Sequence, residues 1–141
     1  MYTHDIAAVK IGNKSTSKYD VNQGVKQGCI LSPLLFNIFL SDLPDFLNAD
    51  KNDPVQITNQ DKVGCIISAD DLLLLSQSES GLNNMLDNLN GYSITNNIKI
   101  NLDKTKCMIF NKTGRLMRRS FRLGENTIEM TCVKIPWISK N

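Results

Sequence analysis

Ile66-Ile67-Ser68-Ala69-Asp70-Asp71-Leu72-Leu73-Leu74-Leu75 places two adjacent acids between two apolar, strand-forming runs. Both runs favour burial, whereas ionised carboxylates resist it unless a cation or a hydrogen-bond donor lies close by. A tight hairpin resolves the conflict by setting both carboxylates at its tip, where they can hold a divalent metal. Strands are expected over residues 63–68 and 72–76, joined at the acidic pair.

Outward from this hairpin the pattern alternates. Glu79 to Thr95 follows as an amphipathic helix, with Leu82, Met85, Leu86, Leu89 and Tyr92 on one face, and Gly91 weakens its end. Asn96-Asn97 suits the left-handed position that closes a helix. Cys107 to Phe110 reads as a strand, and Phe121 to Leu123 with Thr127 to Val133 as a hairpin about Gly124-Glu125-Asn126. On the N-terminal side, residues 48–61 are polar and read as a surface connection. Ser32-Pro33 opens a helix with Ser as N-cap and Pro at the first helical position. Its residues Leu34, Leu35, Phe36, Ile38, Phe39 and Leu40 are apolar nearly all round, the pattern of a helix buried between layers. Pro44 ends or kinks it. A first hairpin, Ile6 to Ile11 with Thr16 to Val21, turns at Gly12-Asn13-Lys14. The order β-β-α-β-β-α-β-β predicts an α+β fold, an antiparallel sheet with helices packed on one face.

The 141 residues suffice for one modest core, and 41% apolar with 21% charged residues is ordinary globular composition. Cys29, Cys65, Cys107 and Cys132 form no CxxC pair, which argues for reduced thiols and against a zinc site or disulfide framework. His4 is the only histidine and has no nucleophile pattern around it, so Ser-His and Cys-His catalysis are set aside. There is no signal peptide and no apolar run long enough to span a bilayer, so an intracellular protein, cytoplasmic or nuclear, is expected. A net charge of +2 does not announce a nucleic-acid binder. The basic cluster Lys112, Arg115, Arg118, Arg119 and Arg122 is the local exception. It reads either as a contact to nucleic-acid backbone or as a solvated charged hairpin.

Three segments carry a resemblance to a known family. GVKQGCILSPLLFNIFLSDL, SADDLLLLSQS and INLDKTKCMIF, in this order and spacing, resemble successive blocks of the reverse transcriptases encoded by non-LTR retrotransposons. The resemblance is clearest over residues 24–110 and implies a partial reverse transcriptase domain over residues 1–133, part of a polymerase palm, with a divergent tail at 134–141. It implies RNA-directed DNA polymerisation by two-metal nucleotidyl transfer, with Mg2+ (or Mn2+) held by Asp70 and Asp71. The partners implied are an RNA template, a DNA primer and deoxynucleoside triphosphates. By the same resemblance Gln27 and Gly28 line the template and nucleotide pocket, Ser32 and Pro33 open the helix behind it, and Lys104 lies near the leaving pyrophosphate.

Two departures stand out. Ser68 occupies a place where the family carries Tyr or Phe, and no segment before Gly24 resembles the block that supplies a further metal-binding aspartate. The chain alone is therefore expected to be inactive. A non-catalytic nucleic-acid-binding module and a non-functional retroelement remnant are the alternatives. Each residue also has a plain structural role open to it. The acids can be a solvated turn, Lys104 a solvated lysine, and Gly28 a turn residue.

Overall fold

The computed structural model describes residues 5–21, 28, 30–111 and 119–134. They divide between Ser41 and Asp42 into two compact units.

In the first unit, β1 (Asp5–Ala7) pairs antiparallel with β4 (Tyr19–Val21), and β2 (Lys10–Ile11) pairs with β3 (Lys14–Ser15) inside them. Gly12 supplies the positive φ of the two-residue turn, so the expected first hairpin forms where its turn residues lie. Helix α1 (Ser32–Phe39) follows. Its N-cap is Leu31 rather than Ser32. Leu31 is already helical, so Ser32 becomes the first helical residue, and no side chain caps the end. The expectation of burial between layers also fails: Leu34 and Ile38 are 57% and 60% exposed, while Phe36, Phe39 and Leu40 are half-buried. An all-round apolar helix needs cover on both sides, and the described residues of this unit cover only part of its surface.

The second unit begins with α2 (Leu43–Leu47), closed by Asn48 in the left-handed conformation, followed by β5 (Val55–Gln56) and β6 (Lys62–Val63). The polar stretch 48–61 thus holds a strand and two buried residues, Ala49 and Pro54, and is more than a surface connection. The hairpin strands are β7 (Cys65–Ser68) and β8 (Asp71–Leu74), antiparallel to each other. Helix α3 (Glu79–Thr95) has the bounds its periodicity predicts, and Asn97 takes the left-handed position after it. Ser78 caps it, its hydroxyl accepting from the Gly81 N–H at 3.0 Å.

Strands β9 (Lys106–Asn111), β10 (Phe121–Leu123) and β11 (Asn126–Lys134) form one sheet in the order β10-β11-β9. The β10–β11 hairpin turns at Gly124-Glu125, as expected, but β11 runs parallel to β9. The prediction of an antiparallel sheet therefore needs correcting. The described strands form five small sheets, and one pairing is parallel. Pairing Met130 with Cys107 and Cys132 with Ile109 keeps the apolar side chains of both strands on one face. That face packs on α3, where Leu86, Cys107, Phe121, Leu123 and Ile128 form a buried cluster joined by Leu74, Leu82 and Leu89. The coarser expectation, α+β with a helix packed over a sheet, holds.

A second group of buried residues joins α2 to α3. Leu47 and Met85 are fully buried, and the rings of Phe46 and Tyr92 meet edge to face at 5.2 Å. The Tyr92 hydroxyl donates to Asp42 Oδ1 at 2.7 Å. Burial, and then the Asp42 hydrogen bond, push the phenol up to about 12. A neutral Tyr92 therefore favours the folded state below pH 10, its ordinary value, and this contribution is lost as pH rises from 10 to 12. Reduced for solvent at the partly buried hydroxyl, it amounts to about 1–2 kcal/mol. In denaturant titrations of wild type against Tyr92→Phe, the wild type should lose stability more steeply across this window, and parallel pH profiles would refute the assignment. Gly91 lies inside α3 with open space where a Cβ would stand, so Gly91→Ala should raise stability by about 1 kcal/mol in the same assay.

Candidate metal-binding hairpin

Two residues, Ala69 and Asp70, connect β7 to β8, with Ser68 directly opposite Asp71. Ala69 has φ of 52° and Asp70 is not among the residues with positive φ, the sign pattern of a type II′ turn. Glycine is the usual residue at that first position, and an alanine there carries about 1–2 kcal/mol of strain. Side chains alternate along both strands. Cys65, Ile67, Leu72 and Leu74 are half-buried, and Leu74 joins the cluster under α3. Ile66, Ser68, Asp71 and Leu73 share the opposite, exposed face, with Ile66 48% and Leu73 52% exposed. A hairpin forms at the expected place with shifted bounds: Gly64 separates β6 from β7, and the turn is Ala69-Asp70, so Asp70 stands exposed in the turn and Asp71 exposed as the first residue of β8, on a ribbon whose other face is anchored.

The legs of the ribbon are held at their base. Gly64, between β6 and β7, is buried so closely against Ala49 that a Cβ would collide with the Ala49 carbonyl. The Leu75 N–H donates to the Gly64 carbonyl at 2.8 Å and extends the ladder by one step. Past β8, the Ser76 hydroxyl donates to the Asn52 carbonyl at 2.9 Å, and the Gln77 N–H donates to the Asp53 carbonyl at 2.8 Å. Gln77 Nε2 donates to the Pro54 carbonyl at 2.8 Å, and the Ser78 hydroxyl donates to the Asp53 carboxylate. Nothing in the composition of 48–54 marks these contacts, because each uses backbone carbonyls or common polar residues.

Two carboxylates at a solvent-facing turn present hard oxygen donors, which suits magnesium, and leave room for water and phosphate in the coordination sphere. The donor set fits such an ion. Among the described residues no group of three or more His, Cys, Asp or Glu side chains comes together. Two open clefts, lined in part by Asp50, Lys62 and Gln77 and by Asn52, Asn84 and Asp87, do not include Asp70 or Asp71.

The other predicted residues are dispersed. Lys104 lies exposed in the turn before β9, where its N–H donates to Asn101 Oδ1 at 3.3 Å. Neither ion pair of the described residues joins it to the acidic hairpin. Gly28 has φ of 82°, a conformation that favours glycine. Ser32 is buried and Pro33 exposed at the start of α1. Arg119 is paired with Glu79 of α3, and Arg122 is exposed on β10 opposite Thr127. Gln27, Lys112, Arg115 and Arg118 lie outside the described residues. Lys106, opposite Glu129 across the parallel pair, forms an ion pair that holds the Glu129 carboxyl below the usual range. No helix among the described residues is long and apolar enough to cross a membrane.

Comparison with known proteins adds three findings. The family model described as reverse transcriptase (RNA-dependent DNA polymerase) matches residues 1–135. A retrovirus-related Pol polyprotein from type-1 retrotransposable element R2 of Popillia japonica is 36% identical over 96 residues, covering 68% of this chain and 16% of that protein. The RNA-directed DNA polymerase from mobile element jockey of Drosophila melanogaster is 33% identical over 110 residues, 73% of this chain and 11% of that protein. The chain thus spans less than a fifth of either relative. No solved structure matches.

The strained turn makes a prediction independent of metal. Ala69→Gly should raise stability by up to about 1 kcal/mol, since relief of the positive φ exceeds the added unfolded-state entropy. A lower midpoint in denaturant would show that the turn is not strained.

Proposed function

The chain belongs to the reverse transcriptase family, with non-LTR retrotransposon polymerases among its relatives, and from that premise we propose that it carries the metal-binding hairpin of an RNA-directed DNA polymerase. The observation that supports this most directly is the pair Asp70 and Asp71, set at the tip of a two-residue turn within a chain matched to the family over residues 1–135.

Asp70 and Asp71 hold Mg2+ or Mn2+ through their carboxylate oxygens, with Asp70 the stronger ligand. Bound divalent metal supplies Lewis acidity toward a primer 3′-hydroxyl and offsets charge on the phosphoryl group being transferred. The chain's own contribution is placement. The legs, anchored on one face, keep the carboxylates at a fixed reach, and the exposed face gives the primer end access. Lys104 stands toward the leaving pyrophosphate as a proton donor. Gln27 and Gly28 line the pocket for template and incoming deoxynucleoside triphosphate, and Ser32 and Pro33 set the helix behind it. Arg122, with Lys112, Arg115 and Arg118, contacts nucleic-acid backbone. Arg119 is committed to Glu79 and contributes less. The two-metal reaction belongs to the whole polymerase, and this chain alone does not extend a primer.

Metal binding and primer extension test these assignments separately. Titration of the full chain with Mn2+, followed by electron paramagnetic resonance, should show a site that Asp70→Asn weakens by about tenfold or more. Equal binding by the variant would sink the hairpin assignment. Extension of an RNA-templated primer by the wild type would refute inactivity of the chain alone, and extension that survives Asp70→Asn would refute the site. Affinity for a primer–template should fall steeply with salt, with a slope that Arg122→Ala lessens by about one phosphate contact.

A further inference from the structure

We propose that the loop 48–54 is a positioning cradle for the acidic hairpin, with Asn52 and Ser76 as its principal positioning residues. This rests on the assignment of Asp70 and Asp71 as metal ligands.

The loop grips both legs of the ribbon at the end away from the carboxylates. On the β7 side the contact is steric: the Ala49 carbonyl takes the space that a side chain at Gly64 would need. On the β8 side the contact is polar: Ser76 and Gln77 donate to the carbonyls of Asn52, Asp53 and Pro54. Asn52 ties this grip to the helices. Its Nδ2 donates to the Leu47 and Asn48 carbonyls, both at 3.1 Å, and its Oδ1 accepts from Asn84 of α3 at 3.3 Å. Gly81 closes the arrangement, because a Cβ there would meet the Asn52 carbonyl and the Ser76 hydroxyl. The cradle thus links the C-terminus of α2, the first turns of α3 and both hairpin legs.

The need for such a device follows from the tip. A positive φ at a non-glycine residue persists only where the surroundings determine it. The exposed face of the ribbon gives it little support, since Ile66 and Leu73 are about half exposed. The constraint must come from the anchored face and from the base, where the close approach at Gly64 and the hydrogen bonds of Ser76 and Gln77 reach residues 49–54. A hairpin free to tilt about its base would present Asp70 and Asp71 in many orientations. The cradle selects one.

Mn2+ affinity of the full chain, measured at a temperature where every variant is folded, is the readout. Asn52→Ala and Ser76→Ala should each weaken binding by roughly threefold or more, short of the roughly tenfold that follows loss of a group bonded directly to a metal ligand. Ser76→Thr, which keeps the hydroxyl, should restore it. Tyr92→Phe, which costs stability without touching loop or hairpin, should bind as wild type. Unchanged affinity in both Asn52→Ala and Ser76→Ala, with Asp70→Asn weakened, would overturn the cradle and leave the metal site standing. Equal loss in Tyr92→Phe would overturn it too, as a general stability effect. Equal binding by wild type and Asp70→Asn would instead overturn the metal site, and the cradle's role with it.

Discussion

The absence of a side chain at Gly64 is the constraint on which the rest of the second unit depends. The Ala49 carbonyl lies where a Cβ would stand, so the chain after α2 and the first leg of the hairpin pass closer than any other residue would allow. That approach brings loop 49–54 within hydrogen-bonding range of Ser76 and Gln77, and so aligns the second leg and the start of α3. Leu74, at the end of that leg, then reaches the cluster formed by Leu86, Phe121 and Ile128. Interiors are packed too tightly for a displaced backbone to be absorbed locally, so a larger residue at 64 would move both helices and the ribbon together.

The polar groups of this region satisfy one another. Ser78 donates to Asp53 and accepts from the Gly81 N–H, capping α3 while binding it to the loop. Among the described residues no buried side-chain nitrogen or oxygen is without a partner. The carboxylates at the tip are arranged oppositely, exposed on the ribbon rather than consumed in internal ion pairs. Ionic groups that support the fold, such as Lys106 with Glu129 and Arg119 with Glu79, lie elsewhere on the surface.

What could be foreseen was local. The bounds of α3 follow from the spacing of Leu82, Met85, Leu86, Leu89 and Tyr92, and the turn at Gly124 from its tolerance of positive φ. The acidic hairpin follows from the conflict between apolar strands and two charges. Long-range relations were not legible. Nothing near Lys106 reveals that β11 runs parallel to it, because the partner lies beyond an intervening strand. Arg119 reads as free basic surface until its pairing with Glu79 is seen. The role of Asn52 is hidden because a polar loop and a structural cradle have the same composition. Leu34 and Ile38 mislead in the other direction, since apolar character shows what a residue favours and not whether a neighbour covers it.

The strand order β10-β11-β9 also bears on the course of folding. β9 is made before β10, yet its only described neighbour in the ladder is β11, which follows both. During synthesis Cys107 and Ile109 therefore wait with an unpaired edge until the β10–β11 hairpin has turned at Gly124 and slid its second strand alongside. Helix α3 and the acidic hairpin are local in sequence and can assemble first. Closure of this sheet joins strands about twenty residues apart in the chain, so it carries a loop-closure cost that the local hairpins and α3 do not.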